Sequence, residues 1–95
     1  MYLHVFLFQW KPEATPALQQ SALERILDFR NTIPGLLEVY AGNNLSPRGG
    51  GYTFGGVMKF TDRAAYDAYS IHPLHEELLA WLLPIIDPIE LDFEA

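Results

Sequence analysis

Two of the chain's three histidines stand three residues apart, in Tyr69-Ser70-Ile71-His72-Pro73-Leu74-His75-Glu76-Glu77, and the third, His4, interrupts an apolar run near the start. An imidazole changes charge near neutral pH, so each ring can exchange a proton, fix a polar ligand group or bind a metal. Pro73 suits the first position of a helix, which makes His72 the N-cap and His75 the third helical residue. The unpaired N–H groups and the positive dipole end there disfavour an imidazolium, so His75 is expected to be neutral and suited to general-base or hydrogen-bonding work. Glu76 and Glu77 complement the same dipole and need no other role. For His72 the structural reading is a helix cap. For His75 and His4 two readings stand together: a ring satisfied within the fold, or a ring that meets a ligand.

Other chemistries find less support. A His-x-x-His pair can put two imidazoles on one helical face, with Glu76 or Asp67 as a third ligand. Pro73, however, leaves His72 outside the helix proper, and the chain has no cysteine, so no metal is expected. Nucleophilic catalysis lacks a thiol and a Gly-x-Ser-x-Gly elbow, serines occurring only at Ser21, Ser46 and Ser70. The run Gly49-Gly50-Gly51 is not followed by Lys-Ser/Thr and joins two strands, so it reads as a hairpin connection and not as a phosphate loop.

The chain has 95 residues, enough for one domain spanning 1–95. A core of this size is marginal unless something assists it. Disulfides are excluded, and oligomerisation is the expected help. Six Lys and Arg against twelve Asp and Glu give a net charge of −6, with the basic residues scattered singly. This argues against nucleic acid or an anionic membrane as a partner. The apolar run from Tyr2 is too short to span a bilayer and lacks a basic leader before it, so a cytoplasmic protein is expected.

The histidines are positioned by alternating strand and helix patterns. Tyr2 to Gln9 reads as a strand stopped by Lys11-Pro12. Thr15-Pro16 starts a helix, with Leu18, Ala22, Ile26, Phe29 and Ile33 as its apolar stripe, and Pro34-Gly35 ends it. Leu36 to Ala41 is a second strand, with Leu37, Val39 and Ala41 on one face. A loop over 42–51 leads to a third strand, Tyr52 to Phe60. Thr61-Asp62 caps a short helix bearing Ala65 and Tyr69, and a second piece from His72-Pro73 carries Leu74, Leu78, Leu79 and Leu82. Ile89 to Phe93 is the last strand, alternating with Glu90, Asp92 and Glu94.

That order, β-α-β-β-α-β, is the ferredoxin-like α+β sandwich: a four-stranded antiparallel sheet with both helices on one face. Strand one is apolar on both sides, with Leu3, Val5 and Leu7 on one and His4, Phe6 and Phe8 on the other. A sheet with one wet face alternates apolar with polar, so both faces here must be covered. Two sheets packed face to face in a homodimeric α/β barrel satisfy this, and the face of His4, Phe6 and Phe8 is expected to line the barrel interior. The plainer alternative puts some of the aromatics under the helices.

With Leu3-His4-Val5-Phe6-Leu7-Phe8, Lys11-Pro12, Ile33-Pro34-Gly35-Leu36, Gly42-Asn43, Gly51-Tyr52-Thr53, Asp92-Phe93 and above all the Y-x-x-H-P-x-H pattern from Tyr69 to His75, the chain resembles the stress-responsive dimeric α/β-barrel (Dabb) family along its whole length. The resemblance implies the dimeric barrel. One plant branch of that family is a cofactor-free polyketide cyclase. Likeness to it implies that His75 serves as general base, Tyr69 orients it, and His4 lines the same pocket. Phe54 stands where that branch has another histidine, which makes the pocket here more apolar.

The expected function is therefore a small homodimeric stress-responsive protein with an internal apolar pocket, binding or transforming a small aromatic or polyketide-like molecule without a cofactor. His75, Tyr69 and His4 are the candidate catalytic residues, and Phe6, Phe8, Phe54, His72 and Trp81 the candidate lining. Two other classes stay open. One is a non-enzymatic binder of a small apolar ligand. The other is a cofactor-free monooxygenase or isomerase like those of related dimeric barrels.

Overall fold

The computed structural model describes all 95 residues. Strand β1 (Tyr2–Trp10) leads to α1 (Pro16–Thr32), β2 (Leu36–Asn43), β3 (Phe54–Phe60), α2 (Arg63–Ser70), α3 (Pro73–Leu82), a single 3₁₀ turn (Leu83–Ile85) and β4 (Ile86–Glu94). The strands form one antiparallel sheet in the order β2-β3-β1-β4, so β1 is hydrogen-bonded on both sides while β4 is an edge. This is the expected ferredoxin-like α+β sandwich.

The helix boundaries follow the chain's own capping chemistry. The Thr15 hydroxyl accepts from the Leu18 N–H at 3.2 Å, Asp62 accepts from Ala65 at 2.8 Å, and Pro16 and Pro73 occupy first-turn positions where no backbone donor is lost. After α1 the chain turns through Gly35 at φ +79°, where a Cβ would come within 2.6 Å of the Ala65 Cβ. Glycine is thus required twice over, by conformation and by the close passage of α2.

Three strand expectations need correction. β3 begins at Phe54, because the Tyr52 N–H turns back to the Gly49 carbonyl at 3.0 Å and only from Phe54 does pairing run continuously. In β2 an irregularity between Leu36 and Glu38 shifts the register, so Leu36 and Val39 point into the core and Leu37 points outward. β4 extends back to Ile86, with Pro88 opposite Phe8 on the edge strand, where a missing donor costs no ladder bond.

The most consequential correction concerns the faces of the sheet. Tyr2, His4, Phe6, Phe8, Phe54, Met58 and Phe60 are buried in the monomer, packed with Ala22, Ile26 and Phe29 of α1 and Leu78 and Leu82 of α3. The face bearing His4 therefore lies under the helices and not in a sheet-to-sheet barrel interior. The open face is aliphatic: Leu3, Val5, Leu7 and Val57, extended by Ile89, Leu91 and Phe93 of β4, which are 48%, 61% and 45% exposed. In β4 the polar residues Glu90 and Asp92 turn toward the helices and the apolar ones face outward, the reverse of a solvated edge strand.

Candidate functional site

Under the helices, between β1, the α2–α3 junction and β4, lies a cavity of about 60 Å³. Ten of its fourteen lining residues are hydrophobic, and the others place both His4 and His75 on its wall, with Tyr69 and Glu90. Phe6 and Phe8 also line it. A larger, open depression of about 390 Å³ lies on the far side of the sheet along Val5, Leu7, Tyr40 and Val57, and no histidine reaches it.

His75 comes from the first turn of α3, and Tyr69 from the last turn of α2. The tight junction between the two helices brings the rings together with centroids 4.3 Å apart. The same reversal sets the Ser70 carbonyl 3.0 Å from His75 Nδ1. A carbonyl can only accept, so Nδ1 carries the proton and the neutral ring keeps its lone pair on Nε2. Burial pushes the His75 pKa below the ordinary histidine range, against the opposing pull of the Ser70 carbonyl. The direction is the one expected from the helix end, but its leading cause is loss of water. Tyr69 is buried against Phe29 and Phe60, and burial raises its pKa, so the phenol keeps its proton.

His4, 5% exposed, donates from Nδ1 to Asp92 Oδ1 at 2.6 Å, and the Tyr2 hydroxyl donates to Asp92 Oδ2 at 2.8 Å. Both carboxylate oxygens are thereby engaged and the His4 ring is held from one side. Tyr66 packs over this group, its ring 4.7 Å from that of Tyr2 and 5.1 Å from that of His4. Burial, and then the Asp92 carboxylate, push the Tyr66 hydroxyl upward, and the Tyr2 hydroxyl is raised to about 12 for the same two reasons.

Three expected lining residues lie elsewhere. His72 caps α3, its Nδ1 accepting from the Leu74 N–H at 3.1 Å, which commits the ring to the helix end. Phe54 sits beyond Phe8, stacked on it at 5.7 Å and touching Trp10, so it backs the cavity without reaching it. Trp81 misses the wall because His75, Leu78, Leu79 and Leu82 occupy the cavity-facing arc of α3, and Trp81 falls to one side of that arc on the helical wheel. Asp92 and Glu90 had no site role in the sequence reading. The signal was there in their alternation with Ile89, Leu91 and Phe93, which puts both carboxylates on one face. No three histidine, aspartate or glutamate side chains gather in a way that holds a metal ion, and no helix is long and apolar enough to cross a membrane.

Fold and cavity together define a small ferredoxin-like domain with a histidine-bearing apolar pocket. A family model described as the stress responsive A/B barrel domain matches residues 3–95, and the chain belongs to that family. Among solved structures, a protein from Arabidopsis thaliana superposes with a TM-score of 0.89 at 22% identity, covering 100% of this chain and 95% of the other. A dimeric ferredoxin-like protein of unknown function from Thermobifida fusca matches at 26% identity and a TM-score of 0.85, covering 99% and 90%. A hydroxynitrile lyase from Passiflora edulis has the same fold at 17% identity and a TM-score of 0.83, covering 98% and 93%. Comparison with curated proteins gives no match.

Proposed function

We propose that the protein is a homodimer whose cavity binds a small apolar molecule and, without a cofactor, removes a proton from a carbon beside a carbonyl group. His75 is the base, acting through Nε2. Tyr69 packs against the His75 ring and is the hydrogen-bond donor for the developing enolate, and His4, held by Asp92, lines the same cavity. The reading rests on one observation: two imidazoles line one apolar cavity, each with Nδ1 already committed to an acceptor of the protein. Orientation and proton transfer are the driving terms, the second contributing roughly 10²–10⁴-fold. The Passiflora lyase supports the reading to the extent that this scaffold hosts small-molecule lyase chemistry.

Size narrows the ligand. Drug-sized ligands occupy pockets of roughly 300–1,000 Å³, and an apolar cavity of about 150 Å³ takes benzene. At about 60 Å³ the cavity admits a few heavy atoms as it stands. An aromatic or polyketide-like molecule fits only after the wall moves outward. The open aliphatic face is the surface for the second copy, in keeping with the dimeric Thermobifida protein. The absence of cysteine accords with work in the cytoplasm.

The test is deuterium wash-in at the α-carbon of 2-butanone, followed by NMR for wild type and His75→Asn. Wild type is expected to exceed the variant by roughly 10²-fold or more. Equal rates, with 2-butanone still perturbing cavity resonances in both, make the protein a binder and dismiss the catalytic reading.

A further inference from the structure

Fourteen residues line the cavity, and none is lysine or arginine. Glu90 is the one carboxylate on the wall. It stands opposite Phe6 in the β1–β4 ladder, on the helix-facing side, and is exposed, which places it at the mouth. No side-chain hydrogen bond or ion pair engages it. Lys11 reaches Asp87 at 3.9 Å, Arg25 reaches Glu77 at 3.6 Å, and Lys59 reaches Glu38 at 2.9 Å. The other carboxylate nearby, Asp92, is occupied by His4 and Tyr2. Glu90 is therefore a free negative charge at the mouth of a pocket whose low-dielectric walls strengthen its field.

We infer that the site selects its ligand by charge: a small molecule with an apolar body and a protonated amine, the ammonium seated on the Glu90 carboxylate and the body under the helices. A neutral molecule enters less readily, and a carboxylate is turned away. The assignment rests on the cavity being a ligand site at all, as proposed above. Its competitor is an ordinary edge-strand charge that discourages strand pairing, and such a charge has no effect on which ligand binds.

The experiment uses three probes with the same three-carbon body: propylamine, 1-propanol and butyrate. Each is titrated at neutral pH into the full chain while the ring resonances of His75 and Tyr69 are followed by NMR. The expected order is propylamine over propanol over butyrate. An exposed ion pair at the top of its usual range corresponds to about a fivefold difference in Kd at each step. In Glu90→Gln the three affinities converge, and in Glu90→Lys the order reverses. The order in wild type is itself a test, independent of how either variant folds. Equal affinities for the three probes in wild type overturn the charge selection and leave the cavity reading standing. No perturbation by any probe overturns both.

Discussion

Replacing Asp92 separates the packing role of the His4 group from its chemistry. In Asp92→Ala, His4 Nδ1–H and the Tyr2 hydroxyl lose bonds of 2.6 and 2.8 Å to a carboxylate. Each hydrogen bond to a charged group is worth about 1.5–3 kcal/mol. The Asp92 side chain is 25% exposed, so water recovers part of this and a loss of roughly 2–4 kcal/mol is expected. For a domain of this size that lowers Tm by roughly 10–25 °C. Asp92→Asn should cost much less, roughly 1 kcal/mol, because Oδ1 still accepts from His4 and the amide can donate to the Tyr2 oxygen. The assay is thermal unfolding at fixed protein concentration, with His4→Leu and the Asp92→Ala/His4→Leu double variant completing a cycle. A coupling of about 1.5–3 kcal/mol is expected for groups in direct contact. If Asp92→Ala melts within a degree or two of wild type, or the cycle shows no coupling, the carboxylate does not hold His4 and the support assigned to that ring is wrong.

Three more outcomes follow from particular contacts. Because His75 has a depressed pKa in the folded state, the unfolded chain binds its proton first. Its contribution to stability is complete above about pH 6.5 and is lost as pH falls through the lower folded value, so His75→Asn should flatten the Tm–pH curve in that window. Leu91→Glu puts a charge in the middle of the open apolar face, and sedimentation is expected to give a dimer for wild type and a monomer for the variant; an equal mass for the two removes that face from the interface. Gly35→Ala meets both a positive φ and the Ala65 Cβ, and should cost roughly 2–4 kcal/mol by chemical denaturation, while Gly42→Ala, with open space around it, should cost far less.

The element order and the helix caps were legible because they depend on local chemistry: Thr15 before Pro16, Asp62 two residues after a strand, and His72 before Pro73. So was the meeting of His4, Tyr69 and His75, carried by the family-like pattern. What the sequence left hidden was which face of the sheet the helices choose. Strand β1 is apolar on both sides, so period-two alternation alone assigns neither to the helices. The deciding information lies across the ladder. Asp92 stands opposite His4 and satisfies it, Tyr2 donates to the same carboxylate, and the Tyr66 ring packs over the pair. The β2 irregularity is hidden for a similar reason, since Leu36 and Leu37 are the same residue type and only packing tells them apart. Trp81 and Phe54 look like pocket residues by composition; helical phase and strand position exclude them.

The two halves of the site are anchored differently, and this decides how a larger ligand can enter. His4 sits on β1, which is paired along its length with β3 on one side and β4 on the other, and its ring is tied to Asp92. Moving it means breaking sheet. Tyr69 and His75 sit at a junction between two short helices of 8 and 10 residues, joined by an exposed Ile71 and held by the His72 cap and the Ser70 carbonyl. Leu83, half exposed in the 3₁₀ turn at the end of α3, closes the wall from the same side. Few bonds oppose an outward shift of α3, so widening of the cavity belongs to the helical side, with β1 as the fixed wall. Amide hydrogen exchange is then expected to be faster in 71–85 than in β1, and a ring-sized ligand to slow the former selectively. Equal protection in the two segments would make the cavity rigid at its present volume and limit its ligands to a few heavy atoms.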